Sequence, residues 1–220
     1  MIQTANVLHI IKRYIGIEKD GREWLLEMMP KHSVCAEIGV YWGVFSRLIL
    51  KRVEPEMLHL IDPWRYQPDP SLDKALHGGV AGSQKRMDEI HDNVVRHLGR
   101  RRNVTIHRAP SLIAVNQFPD NYFDWIYVDG DHSYEGATAD LEQYRSKVKT
   151  GGFVVGDDYA RNPNGRMKDS VTQAVDGVIA RGLYDEVELC PQTHQFILRK
   201  AVDVSLDNSR TTPMLLRVGA

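Results

Sequence analysis

The pattern of apolar and polar positions divides the chain into alternating strands and helices. Short apolar runs, typical of buried parallel strands, are separated by stretches in which apolar residues recur at helical spacing. The runs predict strands at 34–39, 57–62, 104–107, 123–129 and 152–157. The periodic stretches predict helices at 5–14, 21–29, 44–52, 83–98, 111–117, 134–147 and 168–181. This order predicts an α/β fold, a doubly wound three-layer αβα sandwich with a mostly parallel sheet.

Two segments depart from this alternation. Residues 63–82 are rich in Pro, Gly and Asp and predict a long loop, which inside a compact domain is often functional. Residues 186–190 and 195–199 alternate in polarity and predict a closing antiparallel hairpin. Neither a repeat nor a linker divides the chain, so we predict a single domain over residues 1–200. Within this domain 1–30 would form a helical cap, and 201–220 would follow the domain as a tail.

Composition narrows the classes of function. The 220 residues are 42% hydrophobic and carry a net charge of −1, which gives no general attraction to nucleic acid or to an anionic membrane. No apolar run reaches the roughly 18 residues of a membrane span. The N-terminus has no secretion signal, and the two cysteines, Cys35 and Cys190, fall in apolar runs rather than a disulfide framework. We therefore expect a cytoplasmic protein.

The most informative chemistry stands at the ends of two neighbouring predicted strands. Asp129 ends the strand 123–129, and Asp157 and Asp158 follow the next strand. The carboxyl ends of parallel strands meet at the edge where such sheets bind ligands. Three carboxylates there repel one another unless a positive group lies between them, and a divalent cation is the simplest candidate. The alternative is a solvated rim without a metal.

The first predicted strand ends in the turn Glu37-Ile38-Gly39-Val40-Tyr41-Trp42-Gly43. Gly39 and Gly43 let a ligand approach the backbone, and the helix after Gly43 presents free N–H groups. A dinucleotide site needs a third glycine where Tyr41 stands, so the turn argues against a nicotinamide-dependent oxidoreductase. A tight turn without any ligand is the alternative.

Three further residues have two or more interpretations. Asp62 ends the second strand, where a carboxylate can accept both hydroxyls of a ribose, or it is only a turn residue before Pro63. Trp64 could lie against a purine face, line a neighbouring pocket or pack under the long loop. Ser111 either contacts an adenine edge or caps the helix 111–117.

Together these motifs resemble class I S-adenosylmethionine-dependent methyltransferases over about residues 33–160. The most specific part is the segment Asp129-Gly130-Asp131-His132-Ser133-Tyr134-Glu135-Gly136. It is similar to that of bacterial metal-dependent O-methyltransferases that modify sugars and natural products. The turn with Tyr41 is similar to that of catechol-type O-methyltransferases. The resemblance implies a Rossmann-like sheet, and it places the helical cap on the side of the methyl acceptor.

The resemblance also implies roles for single residues. Glu37, Gly39 and Tyr41 would surround the methionine part of S-adenosylmethionine, Asp62 would hold its ribose and Ser111 would lie near its adenine. Gly43, Trp64 and Asp129 complete the expected cofactor site, and Asp129, Asp157 and Asp158 would bind Mg²⁺. The base would be Asp131 or His132, and we favour His132 because neutral imidazole accepts a proton near pH 7.

The expected activity is therefore Mg²⁺-dependent methyl transfer to a hydroxyl of a sugar, a phenol or another small molecule. Two departures from the family pattern matter: Ala109-Pro110-Ser111 replaces the usual Gly-Asp-Ser, and position 132 is His where catechol-type enzymes have Lys. The alternatives are a metal-free methyltransferase acting on nitrogen, a nicotinamide-dependent oxidoreductase and a non-catalytic cofactor-binding module. We expect no nucleic-acid or membrane partner, and pairing of two copies through the apolar N-terminal helix is open.

Overall fold

A computed structural model of the chain describes residues 21–69, 76–160, 170–190 and 193–201. In these ranges seven strands form one sheet in the order β3-β2-β1-β4-β5-β7-β6. The strands are β1 (Val34–Ile38), β2 (Met57–Asp62), β3 (Val104–Arg108), β4 (Phe123–Val128), β5 (Val148–Gly156), β6 (Tyr184–Cys190) and β7 (Gln195–Lys200). The helices are α1 (Gly21–Met28), α2 (Val44–Arg52), α3 (Gln84–Leu98), α4 (Ser111–Ala114), α5 (Tyr134–Arg145) and α6 (Ser170–Ala180), and a 3₁₀ turn spans Val115–Gln117.

The sheet is parallel from β3 to β5 and antiparallel at its other edge. β1 pairs in parallel with both β2 and β4, so the chain leaves β1 to one side and returns on the other. This reversal of strand order opens a crevice at the carboxyl ends of β1 and β4, which is where sheets of this kind bind ligands. β7 lies antiparallel to β5 and β6, which confirms the predicted hairpin.

Two apolar layers cover the sheet. Helices α1, α2 and α3 pack on one face, whereas α4, α5 and α6 pack on the other. Within β4, Trp125 and Tyr127 point into the first layer and Ile126 points into the second, as the period of two in a strand requires. Both faces are therefore buried, which explains why the parallel strands are apolar runs without alternation. The predicted three-layer α/β sandwich is confirmed.

Several predicted boundaries differ from the structure. β5 begins at Val148 rather than at residue 152, because Val148 pairs with Phe123 and a bulge that contains Gly151 carries the strand onward. Helix α5 accordingly ends at Arg145, and β6 begins at Tyr184. The predicted helix 5–14, the start of the helix 168–181 and the tail after Ala201 lie outside the described residues. Among the described helices, none is long and apolar enough to cross a bilayer.

Candidate active site

Gly39 joins the ends of β1 and β4 at the bottom of the crevice. Its φ is 86°, and a Cβ at this position would lie 1.9 Å from the backbone oxygen of Asp129. The Gly39 N–H donates to the Ile61 carbonyl at 2.9 Å, and the Asp129 N–H donates to the Ile38 carbonyl at 2.8 Å. Only glycine fits this close approach, so the predicted turn residue is required by packing as well as by backbone conformation.

The Asp62 carboxylate shapes the rest of this turn. Its Oδ2 accepts from the N–H groups of Val40 and Tyr41 at 2.9 Å each, and its Oδ1 accepts from the Trp64 N–H at 2.6 Å. These bonds hold Tyr41 at a φ of 49°, a left-handed conformation that is costly for a residue with a side chain. Burial raises the pKa of Asp62. The carboxylate thus has a structural role in the turn, and its contact with a ribose stays a prediction.

The indole of Trp64 is part of the core. The side chain is fully buried, its Nε1 donates to the Tyr41 carbonyl at 2.9 Å, and its ring meets the edge of His91 at 5.0 Å. A ring enclosed in this way offers no face to a purine. Of the three interpretations of Trp64, burial in the core favours packing inside the protein, and its place in the cofactor site stays a prediction that this burial does not support.

Ser111 is the first residue of α4 rather than its cap. The N-cap is Pro110, which has no side-chain donor or acceptor, so the capping interpretation was wrong. The Ser111 carbonyl accepts from the Tyr144 hydroxyl at 3.0 Å. This bond ties helix α4 to helix α5. A contact between Ser111 and adenine stays a prediction.

Glu37 lies beneath the turn and is 1% exposed. The Ser46 hydroxyl donates to its Oε2. Burial raises the pKa of Glu37 to about 8, and the nearby Asp129 adds to this effect. A carboxyl that is largely protonated near pH 7 lowers the negative charge of the crevice. Its predicted place around the methionine part is compatible with this position but untested.

His132 bridges two of the predicted acids. Its Nδ1 lies 2.8 Å from Asp158 Oδ2, and its Nε2 lies 3.2 Å from Asp129 Oδ1. These two hydrogen bonds raise the pKa of His132 to about 10, although burial opposes them. The predicted role of His132 needs a neutral imidazole, whereas this raised pKa favours the imidazolium near pH 7, and both ring nitrogens already have carboxylate partners.

Asp131, the other candidate base, is engaged by its own loop. Its Oδ1 accepts from the Ser133 N–H at 2.9 Å, and its side chain lies against Gly136 in the first turn of α5. A Cβ at Gly136 would lie 2.4 Å from Asp131 Cγ. The structure therefore brings His132, and not Asp131, into contact with Asp129 and Asp158.

Arg22 is the site residue that the sequence analysis missed. From helix α1 its Nη2 pairs with Asp157 Oδ2 and lies 3.5 Å from Asp129 Oδ2. Its guanidinium carbon lies 5.4 Å above the Phe45 ring and 5.9 Å above the Tyr127 ring, within the range of cation–π attraction. A pairing across 135 positions leaves no local pattern.

Two of the three predicted metal ligands lie in one cluster with His132. Ligand atoms of Asp129, His132 and Asp158 all lie within 4.8 Å of one another. Asp157, the third predicted ligand, instead pairs with Arg22, and its Oδ1 accepts from the N–H of Asp158 at 2.9 Å and from Gln195. Two carboxylates with one neutral imidazole are a donor set that divalent cations accept, so His132 would have to lose its proton to join them. The residues of this cluster can thus fit a cation, and the predicted ligands Asp129, Asp157 and Asp158 stay a prediction.

A family model described as a methyltransferase domain matches residues 36–159, more than half of the chain. The chain belongs to this family and is an S-adenosylmethionine-dependent methyltransferase. No curated protein is similar enough to the sequence to count as a match.

Solved structures with the same fold are distant in sequence. A protein from Corynebacterium glutamicum has a TM-score of 0.57 at 14% identity, over 92% of this chain and 93% of that one. A SAM-dependent methyltransferase from Aquifex aeolicus has a TM-score of 0.53 at 13% identity, over 83% and 88%. The N-methyltransferase NodS from Bradyrhizobium japonicum, in complex with S-adenosyl-L-homocysteine, has a TM-score of 0.51 at 16% identity, over 82% and 85%. At these identities the likeness shows the fold alone.

Proposed function

We propose that the chain transfers the methyl group of S-adenosylmethionine to a hydroxyl of a small molecule, at the centre formed by Asp129, His132 and Asp158, and that Mg²⁺ supports the reaction. The observation that carries the proposal is the position of Asp129. Its backbone closes on Gly39 of the donor turn, residues 39–43 between β1 and α2, where the methyl donor is expected to bind. Its carboxylate contacts His132 on the acceptor side. Asp129 thus belongs to both sides, and a transfer between two bound molecules needs them held next to each other.

The side chains supply positioning and proton transfer. Asp129 and Asp158 would hold the cation, which when bound lowers the pKa of an acceptor hydroxyl and orients it. His132 touches both acids, whereas Asp131 is turned into its own loop, so we assign removal of the acceptor's proton to His132 in its neutral form. A cation held by the two carboxylates would weaken the hydrogen bonds that keep the imidazole protonated, so His132 would first release one proton to solvent and then accept the proton of the hydroxyl.

A narrow pocket adjoins the centre. Asp129, His132 and Asp157 border it, and its walls include Val128, Leu141, Val171 and Phe196. Its free volume of about 10 Å³ has room for one water molecule, so the pocket does not itself hold the acceptor, whose small size stays a proposal. The net charge of −1 gives no reason to invoke nucleic acid. A cytoplasmic location and pairing of two copies stay predictions.

One observation favours a second candidate, metal-free transfer to oxygen or nitrogen. Asp157 lies beside the centre, so three carboxylates stand close together. Arg22 and His132 already place two positive groups against them. Little uncompensated charge then remains to attract a divalent cation. In this alternative Asp129 and Asp158 only orient His132 and the acceptor.

Release of S-adenosylhomocysteine from a panel of sugars, phenols and amines tests both candidates. For a hydroxyl acceptor, EDTA should abolish turnover and Mg²⁺ should restore it. Asp158→Asn should lower turnover by at least about tenfold, since even outer-shell partners of a metal commonly contribute that much. Asp120→Asn is the matched control, because Asp120 is an exposed carboxylate whose ion pair is with Lys147, away from the centre. Full turnover in EDTA would establish the metal-free candidate instead.

A further inference from the structure

Arg22 lies at the acidic centre, the cluster of Asp129, Asp157, Asp158 and His132. Packing of its helix and of its guanidinium, as well as ion pairing, holds it there. Helix α1 is anchored by Leu25 and Leu26, which are 0% and 2% exposed in the apolar layer. The guanidinium lies over the rings of Phe45 and Tyr127, which fixes it beside the ends of β4 and β5. Packing of α1 thus delivers a permanent positive charge to this edge of the sheet.

Asp157 is correspondingly occupied on both oxygens. Oδ2 pairs with Arg22, and Oδ1 accepts from the Asp158 N–H and from the Gln195 amide. Its neighbour Asp158 turns the other way, toward His132. Two adjacent acids therefore belong to different partners, and only one of them joins the ligand set with Asp129.

We propose that Arg22 sets the cation affinity of this centre, by holding Asp157 in an ion pair and so keeping it out of the ligand set of Asp129, His132 and Asp158. This inference rests on the divalent cation of the proposed function. It assigns to helix α1 a role in metal binding that its distance in sequence from the acids does not suggest.

Arg22 should weaken cation binding in two ways. A guanidinium whose Nη2 lies 3.5 Å from Asp129 Oδ2 repels a cation bound to that carboxylate. It also removes one anionic ligand, because Asp157 would have to leave Arg22 to bind the cation. Both effects weaken cation binding. By reciprocity, a bound cation must weaken the ion pair between Arg22 and Asp157, and with it the attachment of α1 to the strand ends. The centre would then bind the metal weakly and exchange it readily.

Calorimetric titration of the full chain with Mg²⁺ and with Mn²⁺ tests the proposal. Arg22→Gln should bind each cation at least about tenfold more tightly than the wild type, within the usual range of coupling between two sites. Arg52→Gln is the matched control, because Arg52 also ties α1 to α2, through Glu23 at 3.0 Å, but on the exposed surface. Its cation affinity should equal that of the wild type.

A double-mutant cycle identifies the ligand responsible. Asp157→Asn should change cation affinity little in the wild type, yet it should remove most of the gain in Arg22→Gln. If Arg22→Gln folds poorly, Arg22→Lys keeps the charge but loses the planar fork that grips a carboxylate, and it should give a smaller gain in the same direction. Hydrogen exchange of the amides of residues 24–28 should also rise when the wild type is saturated with Mg²⁺.

The outcomes separate the two proposals. Equal cation affinity in the wild type and Arg22→Gln, with measurable binding in both, would overturn the role of Arg22 and leave the metal site standing. No cation binding in either protein would overturn both. A gain in Arg52→Gln as large as that in Arg22→Gln would reduce the effect to loosening of α1, and would also overturn the proposal.

Discussion

The donor turn and the acidic centre share Asp129 but are stabilised in different ways. The turn is closed by backbone hydrogen bonds and by one carboxylate, Asp62, whose partners lie 2 to 22 positions away. The acidic centre is balanced by side chains, and its Arg22–Asp157 pair spans 135 positions. The donor half is thus specified largely by local sequence. The acceptor half depends on the packing of a distant helix, so it can change its charge balance while the turn stays the same.

The largest effect should come from the residue where the two halves touch. Gly39→Ala would place a methyl group 1.9 Å from the Asp129 oxygen, and Ala strongly disfavours a φ of 86°. We expect a loss of roughly 4 kcal/mol or more in the free energy of unfolding, or failure to fold, measured by urea denaturation. Gly151→Ala is the control, since its φ is 76° with no atom within 4 Å of the new Cβ. It should cost only about 1 kcal/mol, and equal losses would refute the packing argument.

The second effect isolates the donor turn. Asp62→Ala removes the acceptor of three backbone N–H groups, so the free energy of unfolding should fall by about 3 kcal/mol. S-adenosylmethionine should also bind more weakly in calorimetry, because the turn is no longer fixed. His132→Gln should leave this affinity nearly unchanged. Unaltered stability in Asp62→Ala would show that the turn is held by Gly39 and its neighbours alone.

The contribution of His59, in β2, to the stability of the protein should be lost in acid. Burial, with a contribution from His107, lowers the pKa of His59 to about 4, below the unfolded value of about 6.5. Its neutral form contributes fully above pH 6.5, and the contribution is lost as the pH falls toward 4. We expect roughly 2 kcal/mol across this window, measured as the difference in unfolding free energy between wild type and His59→Gln. A difference independent of pH would contradict the shift.

On the acceptor side, His132 should show the opposite dependence. Its folded pKa of about 10 lies above the unfolded value, so its contribution is full below pH 6.5 and is lost as the pH rises through 10. About half of its side chain is exposed, and solvent screening limits the expected effect to roughly 1 kcal/mol. The unfolding free energies of wild type and His132→Gln, compared at pH 6 and pH 10 in EDTA, give the measurement. If wild type and His132→Gln differed by the same unfolding free energy at both pH values, the raised pKa of His132 would be contradicted.

Local patterns in the sequence were enough to predict the fold and the acidic residues at the strand ends. Apolar runs with a helix between them define parallel strands, and the glycine and aspartate positions of the donor turn follow from local backbone needs. Asp129, Asp157 and Asp158 could be named because the carboxyl ends of neighbouring strands must meet, whereas His132 was named from the resemblance of its segment to metal-dependent O-methyltransferases.

The way in which the carboxylates at the strand ends are paired with positive groups could be seen only in the folded chain. The direction of each side chain depends on packing, so Asp157 and Asp158 separated toward Arg22 and His132, and Trp64 turned into the core. Periodicity shows which face of a helix is apolar, but not which distant charge that helix carries to the end of a strand. Coulomb attraction acts between atoms close in space, and closeness in space across 135 positions is a property of the folded chain.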